Sequence, residues 1–200
     1  MIVRYLRARR VPAALLLSAG AVALVTALWT LFPDGPVYPV LAVLTTALAM
    51  APLVPTLAGN DAALEATAAL PLPPRRLAHL LACAVIVVAL LYAGRVAGVD
   101  FGTAGQLARN AAGLTGLVGL AAAVFGAGYA WQLPIGWAAV QCVVGPGNGD
   151  SWRAAAVWML QRPDNRGAAV TAALFLVTGL AAYALRVGPT TAASEASAQP

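Results

Sequence analysis

An all-α, polytopic membrane protein is the fold class this sequence predicts, with six transmembrane helices and a short cytosolic helix between the second and third. Three observations lead there. Of the 200 residues, 61% are hydrophobic and only 10% are charged, whereas soluble domains carry about 25% charge. The apolar residues gather into runs of bilayer-spanning length, separated by turn-forming residues. The runs are rich in alanine and leucine and lack the polar–apolar alternation of barrel strands. Helices satisfy their own backbone groups in lipid, so the runs read as helices.

The elements follow in order. A basic head, "MIVRYLRARR", precedes an apolar run over 11–32 that reads as an uncleaved first span. Such a head is also how a secretory signal starts, but the run exceeds a typical signal core and further spans follow. "PDGP" at 33–36 is a turn. The second span covers 37–57 and holds Pro39, Pro52 and Pro55, which neighbouring helices make tolerable. The third covers 77–96 and the fourth 108–128. Within the fourth, Gly116, Gly119, Ala123 and Gly126 recur at spacings of three and four. They form a face of small residues that lets another helix approach closely, within the subunit or across a subunit interface. The fifth span, 131–145, is short. The loop after it carries an amphipathic segment, 151–161, whose Trp152 and Trp158 suit a bilayer interface. The sixth span covers 167–185, and 188–200 is a small, polar tail expected to be disordered. The spans together form a single domain over 1–187.

All twelve basic residues are arginine, and no lysine occurs. A phosphate-binding P-loop needs a lysine, so this sequence cannot build one. The net charge of +5 does not imply nucleic acid, because the arginines sit at the ends of apolar runs and not on an aromatic-rich patch. With the N-terminus inside and six spans, seven arginines are cytosolic and five are external by the sequence positions. If the fifth segment does not cross, the tally becomes nine against three, so arginine placement alone favours five spans.

No catalytic constellation is present. His79 has no carboxylate three or four residues away, and Cys83 and Cys142 lie some sixty residues apart. Neither a metal set nor an intramembrane acid–base pair can be assembled from them. No enzyme activity, cofactor or metal is expected. The spans offer few polar groups to a cargo, Thr26, Thr30, Thr45, Thr46, Gln141 and Thr178 among them.

The most unusual stretch is "NDAALEATAALPLPPRRLAHLL", residues 60–81. Asn60 or Asp61 can cap a helix whose early turns carry Glu65, and Pro71 ends it. Arg75 and Arg76 then begin the return to the membrane at an anionic lipid surface, each contributing about 1 kcal/mol. A short helix over 61–70 followed by a rigid break is the result.

This arrangement resembles the ABC-2 type family of ABC exporter permeases. The matching residues are Leu64-Glu65, Leu70-Pro71, Arg75-Arg76 and the run from Leu77; Gly59 stands nearest to the glycine that often precedes the leucine–glutamate element. The resemblance implies six spans with both ends cytosolic and short outer helices before the last span. It also implies a coupling helix seated in a separate ATP-binding subunit, with Asp61, Leu64, Glu65 and Leu70 at that contact. Two permease chains, identical or related, would form one transporter in the plasma membrane, embedded in lipid and without nucleic acid. The cargo expected from an alanine-, leucine- and valine-rich path is apolar or amphipathic. The alternative is an integral membrane accessory or assembly protein that moves nothing.

Overall fold

Helices make up nearly all of the computed structural model, which describes residues 9–32, 37–57, 72–145 and 152–185. The long helices are α1 (Val11–Leu31), α2 (Pro39–Met50), α3 (Leu72–Val96), α4 (Ala104–Phe125) and α7 (Arg166–Leu185). A shorter helix, α5 (Gln132–Val144), and a one-turn helix, α6 (Trp152–Ala156), lie between α4 and α7. No strand occurs among the described residues. Counting α2 together with the 3-10 segment that extends it to Leu57, five helices are long and apolar enough to cross a membrane.

Local chemistry sets the ends of these elements. Pro52 and Pro55 supply no backbone N–H, so the second span is α-helical only to Met50 and then winds as a 3-10 helix over Ala51–Leu57. The third helix begins at Leu72, five residues before the sequence predicts. Pro73 and Pro74 fall in its first turn, where the missing N–H groups would lack intrahelical partners anyway. It ends in a Schellman turn: Gly98, at φ +100°, donates to Arg95 O, and Val99 donates to Gly94 O. The fourth helix also starts earlier than predicted. The Thr103 hydroxyl accepts from the Gln106 N–H, and the Gln106 side chain accepts from the Thr103 N–H, a reciprocal capping box. This helix stops at Phe125 because Gly126 turns to φ +86°.

Burial separates one helix from the rest. In the most apolar window of α4, 78% of residues are buried, against 28% in α1, 28% in α3 and 22% in α7. Helix α4 is therefore the axis, and the others offer one side to it and one to their surroundings. Leu16, Leu24, Val85, Tyr92, Leu174 and Val177 lie on those exposed apolar sides, as lipid solvation requires.

The directions of the helices follow from their contacts. Arg9 before α1, the end of the 3-10 segment, His79 near the start of α3 and Tyr183 near the end of α7 meet at one end of the bundle. Arg109 near the start of α4 meets Arg162, just before α7, at the other. Helices α4 and α7 thus run parallel, and the chain between them has to travel back along the bundle. Helix α5 makes that return, with Trp137 against Phe175 and Gln141 against Met159. Segment 152–162 then dips inward, since the Trp158 ring packs over Gly113 and against Phe175 in the interior.

Small residues permit the parallel pair. A Cβ at Gly116 would land on the backbone of Phe175, and one at Gly119 would lie 2.6 Å from the Gly179 carbonyl oxygen. Gly179 in turn lies against the backbone of Gly116. Backbones this close exclude any side chain between them. Ala123 is buried, whereas Gly126 lies beyond the helix as its C-terminal turn.

Candidate functional site

Two polar clusters are built into this apolar bundle, one at each end. At the Arg9 end, the focus is the carbonyl of Leu57, the last described residue before segment 58–71. Arg9 Nη1 donates to Leu57 O at 3.0 Å and to Thr56 O at 3.2 Å, and the Tyr183 hydroxyl donates to Leu57 O at 3.1 Å. The Thr56 hydroxyl donates to Leu53 O, which commits its single proton. Its 2.9 Å contact with His79 Nε2 is therefore accepted from an Nε2–H tautomer. Four parts of the chain converge here: the turn before α1, the 3-10 segment, α3 and α7. The 3-10 segment brings the carbonyls, since a helix end leaves carbonyls without intrahelical donors. Arginine and tyrosine supply those donors from neighbouring elements.

At the Arg109 end, a guanidinium grips the inward-dipping segment. Arg109 Nη1 donates to Arg162 O at 2.8 Å, Nη2 donates to Gln161 O at 2.7 Å and Met159 O at 3.4 Å, and Nε donates to Asn110 Oδ1 at 3.3 Å. Asn110 Nδ2 donates to Met159 O at 3.2 Å, and Gln106 Nε2 reaches Gln161 O at 3.4 Å. From α5, Gln141 Oε1 accepts the Met159 N–H at 2.8 Å. The carbonyls gripped are those at the C-terminal side of the 3-10 turn Trp158–Leu160, the negative end of a helical turn, where a cation is favoured. Asn165 closes the segment by accepting the Ala168 N–H at 2.8 Å, which caps α7.

The residues singled out from the sequence fall in different places. Asp61, Leu64, Glu65 and Leu70, with the helix expected over 61–70, lie outside the described residues, as does the tail from 186. Arg75 is exposed and Arg76 partly so in the first turns of α3, at the Arg9 end. Of the polar groups proposed to line a path, Thr30, Thr45, Thr46 and Thr178 each spend their hydroxyl proton on a carbonyl one turn earlier in their own helix. Gln141 belongs to the Arg109 cluster. Thr26 lines a cavity of about 410 Å³ between α1 and α3, walled by Ala19, Ala23, Ala93 and Gly94.

Sequence reasoning missed Arg109, Asn110 and Tyr183. Arg109 had a readable signal, since it stands six residues inside α4 and is followed by a second polar residue, and charge within a membrane helix is costly and informative. Placing the start of that helix at 108 hid it by making Arg109 a flanking residue. Among the described residues, no group of three or more His, Cys, Asp or Glu side chains could hold a metal ion. Cys83 and Cys142 are free thiols.

The architecture defines a class: five long apolar helices point to a multi-pass, helical membrane protein. Beyond that class, no protein-family model, no curated protein and no solved structure matches this chain.

Proposed function

We propose that this chain is the membrane-spanning permease subunit of an ATP-driven ABC exporter of the ABC-2 type. The observation that carries the reading is the convergence on Leu57. Segment 58–71, which holds the coupling-helix pattern, follows in the chain a carbonyl tied to both Arg9 and Tyr183 and precedes the helix that carries His79. A force applied to that segment reaches α1, α3 and α7 together. A membrane chain driven by a separate ATPase needs such a linkage. A loop with no mechanical role does not.

Two further features support it. The parallel run of α4 and α7 supports reading α5, despite its 13 residues, as the fifth of six spans. Segment 152–162 supplies short helices before the last span, as in the family. The N-terminus and segment 58–71 then face the cytosol from the plasma membrane. ATP is hydrolysed in a partner chain, because this one has no lysine for a P-loop. Asp61, Leu64, Glu65 and Leu70 meet that partner. A second permease chain completes the transporter, Arg75 and Arg76 rest on anionic lipid, and the cargo is apolar or amphipathic.

Co-purification in detergent with an ATPase subunit encoded beside it tests the reading. The wild type should retain the ATPase, and a Leu64→Asp/Glu65→Arg chain that inserts normally should lose it. Retention by neither, or equally by both, sinks the permease reading and favours an accessory membrane protein.

A further inference from the structure

The Arg109 cluster is unbalanced in a specific way. Among the described residues, the buried side-chain nitrogens without a hydrogen-bond partner are Gln141 Nε2, Gln161 Nε2, Trp158 Nε1 and Trp137 Nε1. All four are N–H donors. Gln161 and Trp158 belong to the segment Arg109 grips, and Gln141 holds Met159 from α5. Trp137 packs on Phe175, the same ring that Trp158 touches. Gln141 and Trp158 are 0% exposed and Gln161 is 6% exposed. The Gln141 amide cannot be turned to hide its NH₂, because Oε1 is fixed by the Met159 N–H.

Charge is unbalanced in the same place. The four oxygens that Arg109 contacts are carbonyls of the backbone or of an amide, which carry no formal charge. The carboxylates among the described residues, Asp100 and Asp164, are exposed and lie beside Arg95 and Arg162. A buried cation with neutral partners, in a cluster whose Gln141, Trp158 and Gln161 N–H groups lack acceptors, is costly on both counts. Buried water would satisfy the donors and leave the charge. An anionic oxygen group satisfies both.

We infer that Arg109, Gln141, Trp158 and Gln161 form a binding site for one acidic, hydrogen-bond-accepting group, a carboxylate or a phosphate, carried by an amphiphile or entering as a free anion. If the chain is a permease, the site selects cargo with an acidic head, and in that use alone it rests on the function proposed above.

Tryptophan emission of the purified full-length chain in a neutral detergent at pH 8 tests this. The probes are oleate, oleyl alcohol and inorganic phosphate. Oleate should give a saturable change that oleyl alcohol does not. Gln161→Leu removes the side-chain donors but leaves the backbone carbonyls that Arg109 grips, and it should weaken oleate binding about tenfold, the loss expected for one hydrogen bond to a charged group. Trp158→Phe keeps a ring over Gly113 without Nε1 and should weaken binding similarly, read from the remaining tryptophans. Saturation by phosphate alone, with the same sensitivity to the variants, supports the site with a free anion as its source. Equal binding of acid and alcohol overturns the inference, as does binding of neither anion or affinity unchanged in both variants. No ATPase takes part, so failure here leaves the permease reading intact, and loss of the permease reading leaves this site standing.

Discussion

Arg109 shows how one side chain can hold a segment that has little hydrogen bonding of its own. Helix α6 is a single turn and the 3-10 turn after it is shorter still, so segment 152–162 depends on outside donors to stay inside the bundle. Replacing Arg109 by leucine strips the principal donor from the carbonyls of Gln161 and Arg162. With unsatisfied buried groups costing about 1–3 kcal/mol each, a loss of about 3 kcal/mol is expected, measured by unfolding in mixed micelles. Lysine should restore only part of it, because one ammonium cannot reproduce the planar fork that spans three carbonyls. A leucine variant as stable as the wild type would show that the clamp carries no energy.

Between elements, the α4–α7 pair depends on glycine more than on any large side chain. Gly116→Ala would press a methyl group into the backbone of Phe175, which cannot swing aside as a side chain can. A cost of about 2 kcal/mol is expected, within the range for overpacking. Gly20→Ala on the exposed side of α1 meets nothing within 4 Å and should be neutral or slightly stabilising. The same micelle unfolding assay compares the two, and equal effects would contradict the close packing. The small-residue spacing of α4 was legible because glycine at intervals of three and four is a local signal. Its partner, Gly179, was not, since a lone glycine in α7 acquires meaning only when another helix is laid against it. The inward dip of 152–162 was legible as an amphipathic piece, but its depth was not. That depth depends on Trp158 meeting Gly113, a contact between residues forty-five positions apart in the numbering. Arg9 read only as part of a basic head and Tyr183 carried no reading at all, and only the folded chain brings both to one carbonyl.

At the scale of the molecule, the parallel run of α4 and α7 bears directly on the proposed number of crossings. Single cysteines placed in a chain lacking Cys83 and Cys142 can report it in intact cells with a membrane-impermeant thiol reagent. Asp100→Cys and Asp164→Cys should label from outside, and Asp61→Cys and a cysteine in the tail should label only after the membrane is opened. Labelling of the tail from outside would mean that α5 does not cross, and the proposed arrangement would fail.

The brevity of α5 also bears on how the chain enters its membrane. At about 1.5 Å per residue, its 13 residues reach roughly 20 Å, short of a hydrocarbon core of about 30 Å. Such a segment is a poor substrate for the insertion machinery when it emerges alone. Its neighbours along the chain, Gly145 and the turn from Gly126 to Trp131, would have to be drawn below the lipid surface with it. The groups that meet its inner side, the Met159 N–H and the Phe175 ring, are synthesised afterwards. If α5 crosses as proposed, its entry should be completed only after Arg166–Leu185 has been made, which would make it a late step in the biogenesis of the chain.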